Sequence, residues 1–236
     1  MRATGSLDRR PWHNARMPER RPCDCGCTPN TFSDREAAND LKRYLEKGPD
    51  DTTRALIDAV VGEGVTGASV LDIGGGIGAI QLELLAAGAA RSESVDASEA
   101  YVVTARDEAA RRGYGDRTSA RVGDFVTLAP VVDAADVVTL DRVVCCYPDV
   151  EALLGAAASK STRLVGLVYP RDTWWNRIAA RGLAAWGWLT RDATRWYLYE
   201  PARVDGIMRG AGFASRRPIK RTFIWQVVLY RRTAAA

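Results

Sequence analysis

The sequence predicts an α/β fold: a doubly wound, mostly parallel sheet that ends in an antiparallel hairpin. Three observations predict it. From Ser69 onward, short apolar runs alternate with helical patterns, the order that builds a parallel sheet covered by helices on both faces. The first of those runs feeds a glycine-rich turn and then a helix. Near the C-terminus, residues 213–219 and 222–230 are two β-rich runs. Too few residues separate them for a crossover, so the last strand must be antiparallel.

The elements follow in order. Residues 1–30 mix Arg, Pro and Asn with almost no apolar period, which predicts a disordered tail. Met17 offers an alternative start within it. At Ser33 the pattern changes, because Ser33-x-x-Glu36 forms a capping box before Ala37, Leu41 and Tyr44 on one helical face. Gly48 and Pro49 stop that helix, and Asp50 or Asp51 caps a second one running to about Gly62. Strands are expected at 69–73, 94–96, up to 122, 136–140 and 164–169. Ser98 and Asp149 cap helices between them, and Pro201 opens the last helix. The chain thus divides into the tail, helices over 31–66 that cover the cleft, a core over 67–232 and a short end at 233–236.

At 236 residues with 47% apolar and 26% charged side chains, the chain supports one buried core. No apolar run is long enough to span a bilayer. The net charge of +4 is low for a surface devoted to nucleic acid. A single histidine, His13, excludes Ser-His-Asp triads, Cys-His dyads and His-based metal sites. Five cysteines without an export signal predict a reduced, cytoplasmic protein. Cys23, Cys25 and Cys27 lack the C-x-x-C spacing of metal sites and have no histidine partner, so no metal is expected.

The strongest chemical signal is Val70-Leu-Asp-Ile-Gly-Gly-Gly-Ile-Gly78, a strand that runs into glycines and opens a helix. Gly74, Gly76 and Gly78 let the backbone turn tightly and approach a ligand. Asp96 closes the next strand eighteen residues later, where a carboxylate accepts from both hydroxyls of a ribose. A dinucleotide turn spaces its glycines as G-x-G-x-x-G to seat a pyrophosphate. Here Asp72 stands two before the first glycine, and it suits an ammonium or sulfonium instead.

In this Asp-x-Gly-x-Gly-x-Gly form, and over roughly residues 50–232, the sequence resembles the class I S-adenosylmethionine-dependent methyltransferases. The resemblance implies seven strands and S-adenosyl-L-methionine as cofactor, held by Asp72, Gly74, Gly76, Gly78, Asp96 and Asp141 at the end of the fourth strand. It also implies that Gly123-Asp124-Phe125 contacts adenine, Asp124 through its carboxylate and Phe125 through its amide. Leu140-Asp-Arg-Val-Val-Cys-Cys-Tyr-Pro148 resembles, more distantly, the magnesium-protoporphyrin O-methyltransferase branch, with Cys146 where that branch has His.

The reaction expected is methyl transfer by in-line displacement to a small or medium-sized acceptor, at oxygen. Asp141 and Tyr147 are the catalytic candidates. Arg142, Tyr147, Tyr169, Arg171, Trp174 and Trp175 are the substrate candidates, because they follow strands four and five. Five of the seven Trp fall within 174–196 and suggest an apolar wall. Alternatives are a catalytically silent cofactor-binding module and an RNA or DNA methyltransferase. The second has a basic cluster at Arg216, Arg217, Lys220, Arg221, Arg231 and Arg232 but no Pro-Pro-aromatic segment after strand four.

Overall fold

The structure is a computed structural model that describes residues 33–190, 196–215 and 218–233. The expected disordered tail, Cys23, Cys25, Cys27, Arg216 and Arg217 lie outside the described residues, as do the side chains of Trp186 and Trp188.

Helix α1 (Asp34–Lys47) starts at the Ser33–Glu36 capping box, and α2 (Asp51–Gly62) starts at Asp50. The Asp50 carboxylate accepts from the amides of Thr52 and Thr53, both at 3.1 Å, which leaves Asp51 outside the cap. The parallel part of the sheet holds β1 (Ser69–Ile73), β2 (Arg91–Asp96), β3 (Thr118–Val122), β4 (Ala135–Asp141) and β5 (Ser161–Pro170). Helices α3 (Ala79–Ala86), α4 (Glu99–Arg111), α5 (Phe125–Leu128) and α6 (Val150–Lys160) connect these strands. Helices α7 (Trp174–Thr190) and α8 (Pro201–Gly210) then lead to β6 (Phe213–Ala214), β7 (Lys220–Arg221) and β8 (Trp225–Arg232).

The strand order is β3-β2-β1-β4-β5-β8-β6, with β7 also on β8. The order reverses between β1 and β4, which opens a crevice at their carboxyl ends. Eight strands stand where seven were expected. The run 213–219 does not form one strand, because Pro218 has no amide to donate to a ladder. Its described strand is β6, and β7 follows just beyond the run at Lys220–Arg221, both on the β8 edge opposite β5.

One face of the sheet packs under α6 and α8 around Leu140, Leu153, Leu167 and Phe213. The other packs under α2 and α3 around Leu56, Val60, Leu84 and Val137. Gly166 lets α2 sit this close, since a β-carbon there would stand 2.5 Å from the Leu56 side chain. Together these two layers fix α2, and with it Thr53, over the end of β4.

Candidate active site

The β1–α3 turn needs glycine at three places. Gly74, Gly76 and Gly78 have φ of 65°, 54° and 80°, in the left-handed region that only glycine enters cheaply. Gly74 is also sterically closed, because a β-carbon would meet Val143 Cγ2 at 2.3 Å. Gly78 faces Gln81 and Ala105 instead of the cleft, so it serves the packing of α3.

Around the turn lies a cavity of about 740 Å³, within the range of small-molecule sites. Asp72, Gly74, Gly76, Asp96, Asp124, Phe125, Asp141, Arg142 and Tyr147 all line it. Its outer wall comes from α1 and α2, through Asp40, Tyr44, Asp50 and Thr53. Tyr44 anchors that wall by donating to Glu83 at 2.9 Å, and Tyr101 donates to Asp40 at 2.7 Å.

Four carboxylates differ sharply in environment. Asp72 is 1% exposed and accepts from Thr139 at 2.6 Å through Oδ1, while Oδ2 has no partner. Burial raises its pKa to about 7, with smaller contributions from the charges of Asp141 and Asp96. Asp141 is also raised by burial, against the nearby Arg142 charge and the Thr53 hydroxyl it accepts from. Its Oδ1 has no hydrogen bond, the Arg142 Nε standing 3.7 Å away. Asp96 accepts from the Gly76 amide at 2.9 Å and the Ser98 amide at 2.8 Å. Asp124 caps α5 and accepts from Thr127 at 2.9 Å and the Tyr147 hydroxyl at 3.1 Å.

Several substrate candidates sit elsewhere. Arg142, at φ 63°, lines the cleft but donates to Asp50 and, at 2.9 Å, to Thr52, and lies over the Trp225 ring. It is a tie between β4 and α2 in place of the expected carboxylate clamp. Tyr169 is 1% exposed, buried in the core layer with Phe213, Tyr230 and Met208. Arg171 donates to the Thr222 carbonyl, and Trp175 donates to Phe223. Trp174 is 69% exposed. None of Tyr169, Arg171, Trp174 and Trp175 lines the cavity. Alternation along β5 moves Tyr169 out, and α7 leads the others away from the strand end. Tyr169→Phe should therefore leave turnover unchanged and lower stability by about 1 kcal/mol, measured by denaturant unfolding.

Sequence reasoning did not single out Tyr101, Thr53 and Cys146 as lining residues. Only the capping of α2 by Asp50 and the position of Cys146 beside Tyr147 hinted at them. No group of three or more His, Cys, Asp or Glu side chains able to hold a metal occurs among the described residues.

The glycine cradle, the unpartnered Asp72 Oδ2 and the buried Asp141 carboxylate fit a cationic, nucleoside-bearing ligand. Comparison with known proteins agrees with that chemistry. Residues 70–160 match the family model described as a methyltransferase domain. A search of curated proteins returns no significant match. Among solved structures, magnesium protoporphyrin IX methyltransferase from Synechocystis PCC 6803, crystallised with bound SAH, superposes with a TM-score of 0.65 at 21% identity. The alignment covers 85% of this chain and 97% of that one. An O-methyltransferase family protein from Burkholderia thailandensis gives 0.62 at 18% identity, covering 89% and 64%. The mitomycin 7-O-methyltransferase MmcR gives 0.60 at 18% identity, covering 84% and 58%. The family match thus places a methyltransferase domain over the glycine turn and the site strands, on a fold shared with these solved methyltransferases.

Proposed function

We propose that the chain transfers a methyl group to oxygen of a small or medium-sized organic acceptor bound in the cleft beside Asp141. The observation that carries this reading is the pair of buried carboxylate oxygens, Asp72 Oδ2 and Asp141 Oδ1, next to the glycine turn. Bound there, S-adenosylmethionine supplies a methyl carbon on a sulfonium. Asp72 receives the ammonium, Asp96 the ribose hydroxyls, and Asp124 with the Phe125 amide the adenine. Gly74 and Gly76 let the backbone approach. Helices over 31–66 act as a cover on the 67–232 core.

Displacement at the methyl carbon needs alignment more than acid or base strength. A carboxylate acceptor arrives ionised, and a phenol would pass its proton to Asp141, whose raised pKa suits it as a base. Tyr147, held against Asp124, serves the adenine end more than the acceptor end. That hydrogen bond is the reason to move it out of the catalytic pair. Lys220 pairs with Asp51 and Arg231 with Glu63, so much of the basic cluster is taken up within the fold. This favours a small acceptor over a nucleic acid.

Asp96→Ala tests the cofactor assignment. Isothermal titration with S-adenosylhomocysteine should show binding weakened by about 10- to 100-fold, the loss of hydrogen bonds to a charged acceptor. Unchanged affinity would remove Asp96 from the site. Screening carboxylic acids, phenols and Mg-protoporphyrin for methyl incorporation then tests the acceptor.

A further inference from the structure

Among the described residues, the start of α7 and the segment from Ile219 to the turn between β7 and β8 expose apolar side chains. Trp174 and Phe223 are each 69% exposed, Ile178 57% and Ile219 45%. Trp175 joins two of them, lying edge-on to Trp174 and stacking on Phe223 with ring centres 5.1 Å apart. Asn176 pins the base of the helix, its amide donating to the Arg171 and Ile224 carbonyls at 2.8 and 3.1 Å. Beyond it, none of the described α7 residues up to 185 is buried. A helix that leaves Ile178 and Leu183 in water is built for a partner.

Charge selects the partner. Residues 173–191 contain no Asp or Glu, and Arg177 and Arg181 fall one turn apart on the same side of α7. Arg171, Lys220 and Arg221 stand around the neighbouring turn. Asp172 offsets Arg177 and Asp51 offsets Lys220, so Arg171, Arg181 and Arg221 carry the net positive charge of this face among the described residues. A second copy of the chain would set this cationic rim against its like, whereas an anionic bilayer complements it. Tryptophan and arginine on one short amphipathic helix is also the composition that settles at the headgroup boundary.

We propose that this face lies on an anionic lipid surface, with α7 in the plane of the interface. No helix among the described residues is long and apolar enough to cross a membrane, so the contact is one of lying on the bilayer. The patch also borders the cleft. Lys220 pairs with Asp51, and Trp225 lies under Arg142, and both partners line the cavity. An apolar acceptor dissolved in the bilayer would meet the protein beside the cleft mouth. That last step rests on the proposed acceptor, and the lipid contact does not.

The test is co-sedimentation of the full chain with vesicles of phosphatidylcholine alone or with about one third phosphatidylglycerol. About tenfold more protein should travel with the anionic vesicles, and salt should reverse the difference. The double variant Ile178→Glu, Phe223→Glu should lose that binding and keep the S-adenosylhomocysteine affinity of the parent, which reads the cofactor site separately. Parent protein that binds S-adenosylhomocysteine yet travels with neither vesicle overturns the proposal. So does a dimer in light scattering that the same two substitutions dissolve, which would assign the patch to a second copy.

Discussion

S-adenosylhomocysteine should bind about tenfold more tightly at pH 8 than at pH 6, and Asp72→Asn should abolish that difference while weakening binding at pH 8. Burial holds the Asp72 carboxyl at about 7, so much of it is protonated below that pH in the ligand-free protein. The ligand's ammonium pairs with the ionised form, whose Oδ2 has no other partner. Binding therefore strengthens as pH rises toward 7 and levels above it. Stability of the ligand-free protein runs the opposite way. The folded pKa lies above the ordinary value of 3.8, so the stabilising proton is fully held at low pH and lost as pH rises to about 7. Denaturant titrations of Asp72→Asn should show a gain over the parent that grows across that window, on the order of 1–3 kcal/mol. A flat pH profile for the parent protein would mean that Asp72 stays ionised without the ligand.

Gly74→Ala should cost about 2–5 kcal/mol of stability and remove measurable cofactor binding. The residue stands at φ 65°, where a side chain costs about 1–2 kcal/mol. Its β-carbon would also overlap Val143 Cγ2 at 2.3 Å, an overpacking that adds about 1–3 kcal/mol. Val143 follows Arg142, so relief of the clash shifts the loop that carries Asp141 and Arg142. Gly155→Ala is the control. Gly155 is exposed inside α6 with nothing within 4 Å of the added carbon. That change should raise stability by about 0.5–1 kcal/mol in the same unfolding assay and leave binding unchanged. Equal behaviour of the two variants would mean that the turn tolerates a side chain.

The sequence by itself determined the sheet and the glycine-and-carboxylate side of the cleft. Strand, glycine turn, helix and a carboxylate at the next strand end are local features, and local chemistry places them. The turn demands left-handed backbone at Gly74 and Gly76, and parallel pairing of β1 with β2 and β4 brings Asp72, Asp96 and Asp141 to one edge. The caps at Ser33, Ser98 and Asp149 were legible for the same reason.

Tertiary structure alone decided the acceptor half. Tyr169 sits one residue from the end of β5, and only the pairing of β5 with β8 decides which face it takes. Arg142 reads as an anion clamp until α2 packs across β5 and brings Asp50 and Thr52, some ninety residues earlier, to its guanidinium. Trp174 and Trp175 follow β5 closely in sequence, yet α7 carries them to the outer surface. Long-range packing sets where such side chains point, and no local pattern of residues encodes it.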